Sequence, residues 1–154
     1  MGTTANLELR IGTDTLFAST TYDGYWAYMI VPRFVEYLNS AAVTTREQDR
    51  EWFRAVSKEL FPHHYSDSER PVGGFPCCEV IIDTERKLVL HTGDSSEGGD
   101  LEIVSNGFPE IFKRACTALR RRHNYQVLKY EQPGLREVKK EAARIVKKPR
   151  EGRA

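Results

Sequence analysis

Two short apolar runs joined by a charged segment dominate the hydrophobic pattern of the chain. Residues 80–82 and 88–90 are all aliphatic, whereas residues 83–87, Asp-Thr-Glu-Arg-Lys, are too polar to bury. This pattern predicts a β-hairpin over residues 78–91 with a loop of roughly three to five residues. Because apolar residues run consecutively on both arms, both faces need cover, and we expect the hairpin in the middle of a sheet that helices cover.

Other apolar positions predict further strands. Apolar and charged residues alternate over 7–11, which predicts a half-buried strand, and a turn at 13–14 leads into the apolar residues 16–18. Residues 125–130 predict a last strand, and residues 101–104 a further one.

The aromatic segment after residue 22 fits two interpretations. An Asp-Gly pair at 23–24 is typical of a tight hairpin turn, which makes 25–31 a strand and lets Pro32 open a helix. In the alternative, apolar residues four positions apart form one helix that runs through the proline: Trp26, Ile30, Phe34 and Leu38. We favour the hairpin.

Three amphipathic patterns predict helices. The first covers residues 31–38. The second follows a capping box, in which Thr45 and Gln48 satisfy each other's backbone donors, and buries a stripe over 52–60. The third has the clearest apolar stripe, over 111–119, and carries arginines in its last turn, where cations suit the helix dipole.

These elements predict a single α+β domain over residues 1–135. We expect an antiparallel or mixed sheet of roughly five to seven strands with about three helices packed on one face. Residues 136–154 predict a basic, weakly amphipathic C-terminal helix and a frayed tail. A chain of 154 residues has the length of one domain.

Composition narrows the class of protein. The chain is 40% hydrophobic and 29% charged, as folded proteins are. Its longest apolar run, 25–31, is far shorter than the roughly 20 residues that span a bilayer, so we expect no membrane segment. The N-terminus lacks the pattern of a secretory signal, and three cysteines cannot all pair with one another; both features favour the cytoplasm.

Basic residues gather at one helix end and in the tail. Residues 136–154 carry eight Lys or Arg against three Glu, a net charge of +5; since the whole chain carries +1, residues 1–135 carry −4. The candidates for gripping nucleic-acid phosphates are Arg120, Arg121, Arg122, Lys139, Lys140 and Arg144. The same residues also fit a solvated helix end and a solubilising tail, so nucleic-acid binding is an alternative function.

The predicted hairpin brings two long polar segments, 62–77 and 92–100, to one edge of the sheet. Residues with metal-ligating side chains gather there: His63, His64, Asp67, Cys77, Cys78, His91 and Asp94. The spacings typical of zinc sites, such as H-E-x-x-H or C-x-x-C, are missing. Solvated loops with structural histidines and buried thiols explain the same residues, so we expect neither a metal nor a cofactor.

A hydrolase is the enzymatic alternative at this edge. The tripeptide Gly-Asp-Ser at 93–95 occurs in several hydrolases, and His91 stands two residues before it, but a lone tripeptide also occurs by chance. A reactive Cys77 or Cys78 needs a cationic neighbour, for which His91 is the candidate, and buried inert thiols explain the same cysteines. A small metal-dependent or thiol/histidine hydrolase would use the catalytic candidates His63, His64, His91, Asp94 and Cys78.

An aromatic segment and an acidic loop are candidate surfaces for binding a protein partner. The residues concerned are Tyr22, Tyr25, Trp26, Asp94, Glu97 and Asp100. Tyr and Trp dominate the energetics of interfaces, and charge complementarity selects partners. We therefore expect a small, cytoplasmic, non-enzymatic protein that binds a macromolecule, with a protein partner favoured over nucleic acid.

Overall fold

One mixed sheet is the centre of the fold in the computed structural model, which describes residues 4–21, 24–41, 43–62, 65–67, 78–92 and 108–129. Its described strands are β1 (Ala5–Ile11), β2 (Asp14–Thr20), β3 (Cys78–Asp83), β4 (Leu88–His91) and β5 (Gln126–Lys129). They lie in the order β2-β1-β3-β4-β5. Neighbours β1–β2 and β3–β4 are antiparallel, whereas β1–β3 and β4–β5 are parallel. The α+β class and the mixed sheet are thus confirmed.

Two hairpins build most of this sheet. The turn between β1 and β2 is tight because Gly12 has φ +62°, a left-handed conformation that glycine adopts without strain. The hairpin predicted over 78–91 is confirmed, with residues 84–87 as its turn. Asp83 stabilises that turn, since its Oδ1 accepts a hydrogen bond of 2.9 Å from the backbone N–H of Arg86.

Strands β1, β3 and β4 are buried on both faces. This confirms the central position predicted for the second hairpin. The prediction that the first strand is half-buried is wrong, because Asn6 and Glu8 are buried along with the apolar residues of β1. Both polar side chains have partners, which lowers the cost of burying them: Asn6 bonds to Glu79, and Glu8 pairs with Arg10.

The aromatic segment is helical. A 3-10 helix over Gly24–Met29 runs directly into α1 (Ile30–Ser40), so the favoured strand over 25–31 is wrong and the helical alternative is confirmed. Pro32 lies in the first turn of α1, where backbone N–H groups have no intrahelical acceptor. The burial of Ile30 and Phe34 on one side of this helix outweighed the Asp-Gly turn signal.

Two longer helices complete the layer. Helix α2 (Arg46–Leu60) begins with the predicted capping box, in which Gln48 N donates to Thr45 Oγ1 at 3.1 Å and Thr45 N donates to Gln48 Oε1 at 2.9 Å. Helix α3 (Phe108–Arg122) ends with the predicted arginines. No helix among the residues described is long and apolar enough to cross a membrane.

The three helices pack against one face of the sheet. Alternate aliphatic residues of β1 and β3 form a single core with aromatic residues of the helices: Leu7, Leu9, Val80, Ile82, Phe34, Phe53 and Phe112. The ring of Phe34 lies edge-on to Tyr125 beside β5, with centroids 5.4 Å apart. The strand predicted at 101–104, the end of the domain at 135 and the segment 136–154 lie outside the described residues.

Candidate functional site

The described candidates for catalysis, Cys78 and His91, lie on the helix-covered face of the sheet. Val80 stands opposite His91, so Cys78 and His91 occupy neighbouring strands two register positions apart. Their relative exposures are 0% and 6%, and the His91 ring packs edge-on against Phe112 with centroids 5.0 Å apart. Burial of this kind is what structural cysteines and histidines show.

Most other candidate site residues lie outside the described residues. These are Tyr22, His63, His64, Cys77, Asp94, Glu97, Asp100, Lys139, Lys140 and Arg144. Within the described ranges, no group of three or more His, Cys, Asp or Glu side chains is arranged to hold a metal ion.

The predicted aromatic contact segment divides into inner and outer residues. Tyr28 faces the core: its hydroxyl lies 2.7 Å from Thr92 Oγ1, and its ring lies edge-on to Phe112. Trp26 is 40% exposed and Tyr25 is half-buried. Of the two aromatic anchors that the structure describes, Trp26 is therefore the one with a large accessible ring.

The three arginines at the end of α3 have different surroundings. Arg120 Nη2 donates to the backbone carbonyl of Val127 at 3.1 Å and so ties the helix to β5. Arg122 instead lines a cleft at the end of the sheet. Of the predicted cationic cluster, Arg120 therefore has a structural role, whereas Arg122 faces the open cleft.

That cleft, which we call the end cleft, has a volume of about 400 Å³. It lies beyond the edge where β1 and β3 end and where β4 and β5 begin. Its walls come from five places: the end of β1, the second half of α1 with the residue after it, the start of α2 with the residues before it, the β3–β4 turn and the junction between α3 and β5. Apolar residues, including Ile11, Phe34 and Leu38, line it together with charged ones.

Left-handed backbone conformations place the basic side chains of the end cleft. Lys87 has φ +52° at the end of the β3–β4 turn, and its carbonyl accepts a 2.8 Å hydrogen bond from Gln126 N, which brings it to the start of β5. Helix α3 ends at Arg122, and Asn124, two residues later, has φ +58°, the left-handed conformation that commonly terminates a helix. Both of these residues line the cleft, and they are the described non-glycine residues with positive φ.

An ion pair joins α2 to the β3–β4 turn at the cleft. Arg46 Nη2 lies 2.6 Å from Glu85 Oε1, with side chains 61% and 45% exposed. The pair closes over Gly12, where an added Cβ would lie 2.9 Å from Arg46 Nη2. Arg50 of the same helix pairs with Asp14 at the start of β2.

A hydrogen bond between Tyr37 and Asp49 is the second polar contact at the end cleft. The Tyr37 hydroxyl donates to Asp49 Oδ1 at 2.5 Å, and the Tyr37 ring stacks on Trp52 with centroids 5.0 Å apart. Burial, and then the hydrogen bond to Asp49, raise the pKa of Tyr37 to about 12. Asp49 is buried in the first turns of α2, where the helix dipole favours a negative charge.

His123 also lines the end cleft. Its Nε2 lies 2.9 Å from Asn39 Oδ1, and because that oxygen only accepts, Nε2 is the donor. Burial lowers the pKa of His123, and the neighbouring charges of Arg122 and Lys87 lower it further. The imidazole is therefore biased towards its neutral form.

The opposite face of the sheet carries a row of buried polar side chains. Asn6 Nδ2 donates to Glu79 Oε2 at 3.0 Å, and Arg10 Nε lies 2.6 Å from Glu8 Oε2. Glu79 is almost fully buried. The polar alternate positions of β1 are the sequence signal for this row, but a half-buried strand predicts that they face solvent, whereas the structure buries Asn6 and Glu8.

The residues of the end cleft were mostly missed by sequence reasoning. Only Arg122 was among the candidates, because Arg46, Asp49, Lys87 and His123 stand in three separate segments without a shared motif. The end cleft combines an apolar lining with ion pairs, a phenol and an imidazole, which suits non-covalent recognition of a polar ligand. A comparison of the chain with protein-family models, with curated proteins and with solved structures finds no match.

Proposed function

We propose that the protein is a non-enzymatic binding protein that recognises a protein partner through the end cleft. One observation carries this proposal: the described non-glycine residues with left-handed backbone, Lys87 and Asn124, both line the cleft. Strained backbone persists where the surroundings over-determine it, and such residues cluster at functional sites.

The rim of the cleft has the composition of a protein interface. Arginine and tyrosine are frequent among the residues that dominate binding energy, and an apolar centre with a polar rim is the usual layout. Val43, in the loop between α1 and α2, is 86% exposed and stands between two lining residues, Ala41 and Thr44. An apolar side chain presented in this way favours contact with a partner's surface over contact with a small metabolite.

The chemistry of the cleft favours binding over catalysis. A nucleophile needs an adjacent base that a third group orients. The imidazole described in the cleft, His123, is engaged by the amide of Asn39, while Cys78 and His91 are buried in the core. Trp26 is proposed as an additional contact because its ring is accessible.

Site-specific photocrosslinking tests this proposal. A photoreactive amino acid replaces Val43 in the full chain, and the matched control carries it at Lys113, an exposed position of α3 that does not line the cleft. We expect a discrete covalent adduct with a partner protein from Val43 in cells of the native host, and no such adduct from Lys113. The same set of adducts from both positions, or none from Val43, would contradict the proposed function.

A further inference from the structure

One wall of the end cleft is basic. Lys87 comes from the β3–β4 turn, and Arg122 and His123 come from the end of α3. All three residues line the same cleft, and the charges of Arg122 and Lys87 both lower the pKa of the His123 imidazole. Bringing like charges together is unfavourable by itself, so this basic wall suits a ligand that supplies negative charge.

The carboxylates of the cleft already have partners. Asp49 accepts from Tyr37, and Glu85 pairs with Arg46. Arg122, in contrast, makes no ion pair with any residue in the part of the chain that the structure describes. No carboxylate among the described residues therefore neutralises the charge of the Arg122 guanidinium.

We propose that the basic wall of Lys87, Arg122 and His123 binds the carboxylate groups of an acidic segment of the partner protein. This inference rests on the proposed function and names the chemistry of the partner. A guanidinium matches a carboxylate in a two-pronged hydrogen-bonded geometry, and the imidazole adds a third positive group when protonated.

Two carboxylates in the cleft explain why an acidic peptide fits better than nucleic acid. Asp49 and Glu85 also line the cleft and would repel a second row of negative charge. Nucleic acid carries phosphates along its whole length, whereas a peptide places acidic side chains among neutral ones. The net charge of −4 on residues 1–135 also disfavours a polyanion more than a segment with a few carboxylates.

Binding of carboxylates at this wall has a defined pH dependence. An anion beside His123 favours the protonated imidazole, so binding takes up a proton and becomes tighter as the pH falls from about 7 to about 5. The other charged groups described at the cleft are Arg46, Asp49, Glu85, Lys87 and Arg122. His123→Gln retains a donor for Asn39 and should remove this pH dependence.

Fluorescence anisotropy with a labelled peptide of alternating glutamate and glycine tests the proposal on the full chain. The control peptide has glutamine in place of each glutamate. We expect binding of the glutamate peptide that weakens with salt, and at least about fivefold weaker binding by Arg122→Glu. Lys113→Glu makes the same charge change on the same helix outside the cleft, and we expect less than about a twofold effect.

Three results would overturn the proposal. These are equal binding of the two peptides, equal loss in Arg122→Glu and Lys113→Glu, or a single-stranded oligonucleotide that binds more tightly than the glutamate peptide and depends on Arg122. Thermal unfolding of both variants checks that they fold; Arg122 is exposed, so its reversal should lower the midpoint by only a few degrees, through the lost interaction with the helix dipole.

The two proposals fail in different ways. If Val43 crosslinks to a partner while the glutamate peptide shows no dependence on Arg122, the acidic chemistry is wrong and the binding function stands. If the peptide binds as expected but Val43 yields no adduct, the carboxylate site stands and recognition of a protein partner at this cleft is wrong.

Discussion

The helix-covered face of the sheet and the end cleft differ in the energy of each contact and in the number of segments that must meet to form them. Leu9 of β1 and Ile82 of β3 are fully buried neighbours in the register. Burial of such side chains contributes about 1.5–3 kcal/mol each and needs no particular orientation. Ion pairs and hydrogen bonds at the cleft contribute about 0–1.5 kcal/mol each and depend on geometry.

The helix-covered face and the end cleft therefore have different roles. The helix-covered face contributes most to the free energy of unfolding, but its side chains are buried and cannot contact a ligand. The end cleft presents charges of both signs, yet its polar contacts are individually weak. Substitutions on the helix-covered face should therefore lower the free energy of unfolding the most, whereas substitutions at the end cleft should change binding with smaller losses of stability.

The largest effect is expected from Leu9→Ala. Leu9 is fully buried between Leu16 of β2 and Ile82 of β3, so the substitution removes buried methyl groups and leaves a cavity. We expect the free energy of unfolding in urea to fall by about 3 kcal/mol. A loss below about 1 kcal/mol would show that the core around β1 relaxes to fill the space, and the contrast with the cleft would weaken.

A smaller loss is expected from Asn6→Ala, which separates the effect of burial from that of polarity. Asn6 is buried like the core residues but polar like the cleft residues, and its amide donates to the buried carboxylate of Glu79. Removing that donor should cost about 2 kcal/mol of unfolding free energy. In a double-mutant cycle with Glu79→Gln, the two losses should be non-additive; additive losses would mean that the contact contributes little.

Local patterns were enough to predict much of the fold. The aliphatic runs at 80–82 and 88–90 identified the central hairpin, and Thr45 with Gln48 identified the start of α2, because each signal lies within a few neighbouring residues. The segment over 25–31 was assigned wrongly because its Asp-Gly turn signal and its helical spacing conflict, and only tertiary burial decides between them.

The end cleft could not be predicted in the same way. It depends on the parallel pairing of β1 with β3 and of β4 with β5, which carries the junction of α3 and β5 to the β3–β4 turn. Strand order and register of this kind leave no local trace in the sequence. The polar row of Asn6 and Glu79 could not be predicted either. Alternation identifies the two faces of a strand, but it does not show whether the polar face is covered.

Tyr37→Phe should reveal the polar framework of the cleft through its pH dependence. At neutral pH, loss of the hydrogen bond to Asp49 should lower the free energy of unfolding by about 1 kcal/mol. The pKa of Tyr37 is raised to about 12, whereas the unfolded phenol ionises near 10, so the unfolded state loses its proton first as the pH rises.

The stability that Tyr37 contributes is therefore complete below about pH 10 and is lost between about pH 10 and pH 12. Urea unfolding across this range should show a steeper decline for the unmodified protein than for Tyr37→Phe. Parallel declines would mean that the phenol is no harder to ionise in the fold than in the unfolded chain.

The smallest effect on stability is expected from Arg46→Ala, although Arg46 lines the cleft. Its ion pair with Glu85 joins side chains that are 61% and 45% exposed, and exposed pairs contribute about 0–1 kcal/mol. We expect a loss of about 0.5 kcal/mol or less in urea unfolding, and that loss should shrink further in high salt. Gly12→Ala is the matched change beneath the same pair: it strains a backbone with φ +62° and crowds Arg46, so it should cost more than Arg46→Ala. If Arg46→Ala instead destabilised the protein as much as Asn6→Ala does, the pair would hold the β3–β4 turn onto α2, and the end cleft would share the structural role of the core.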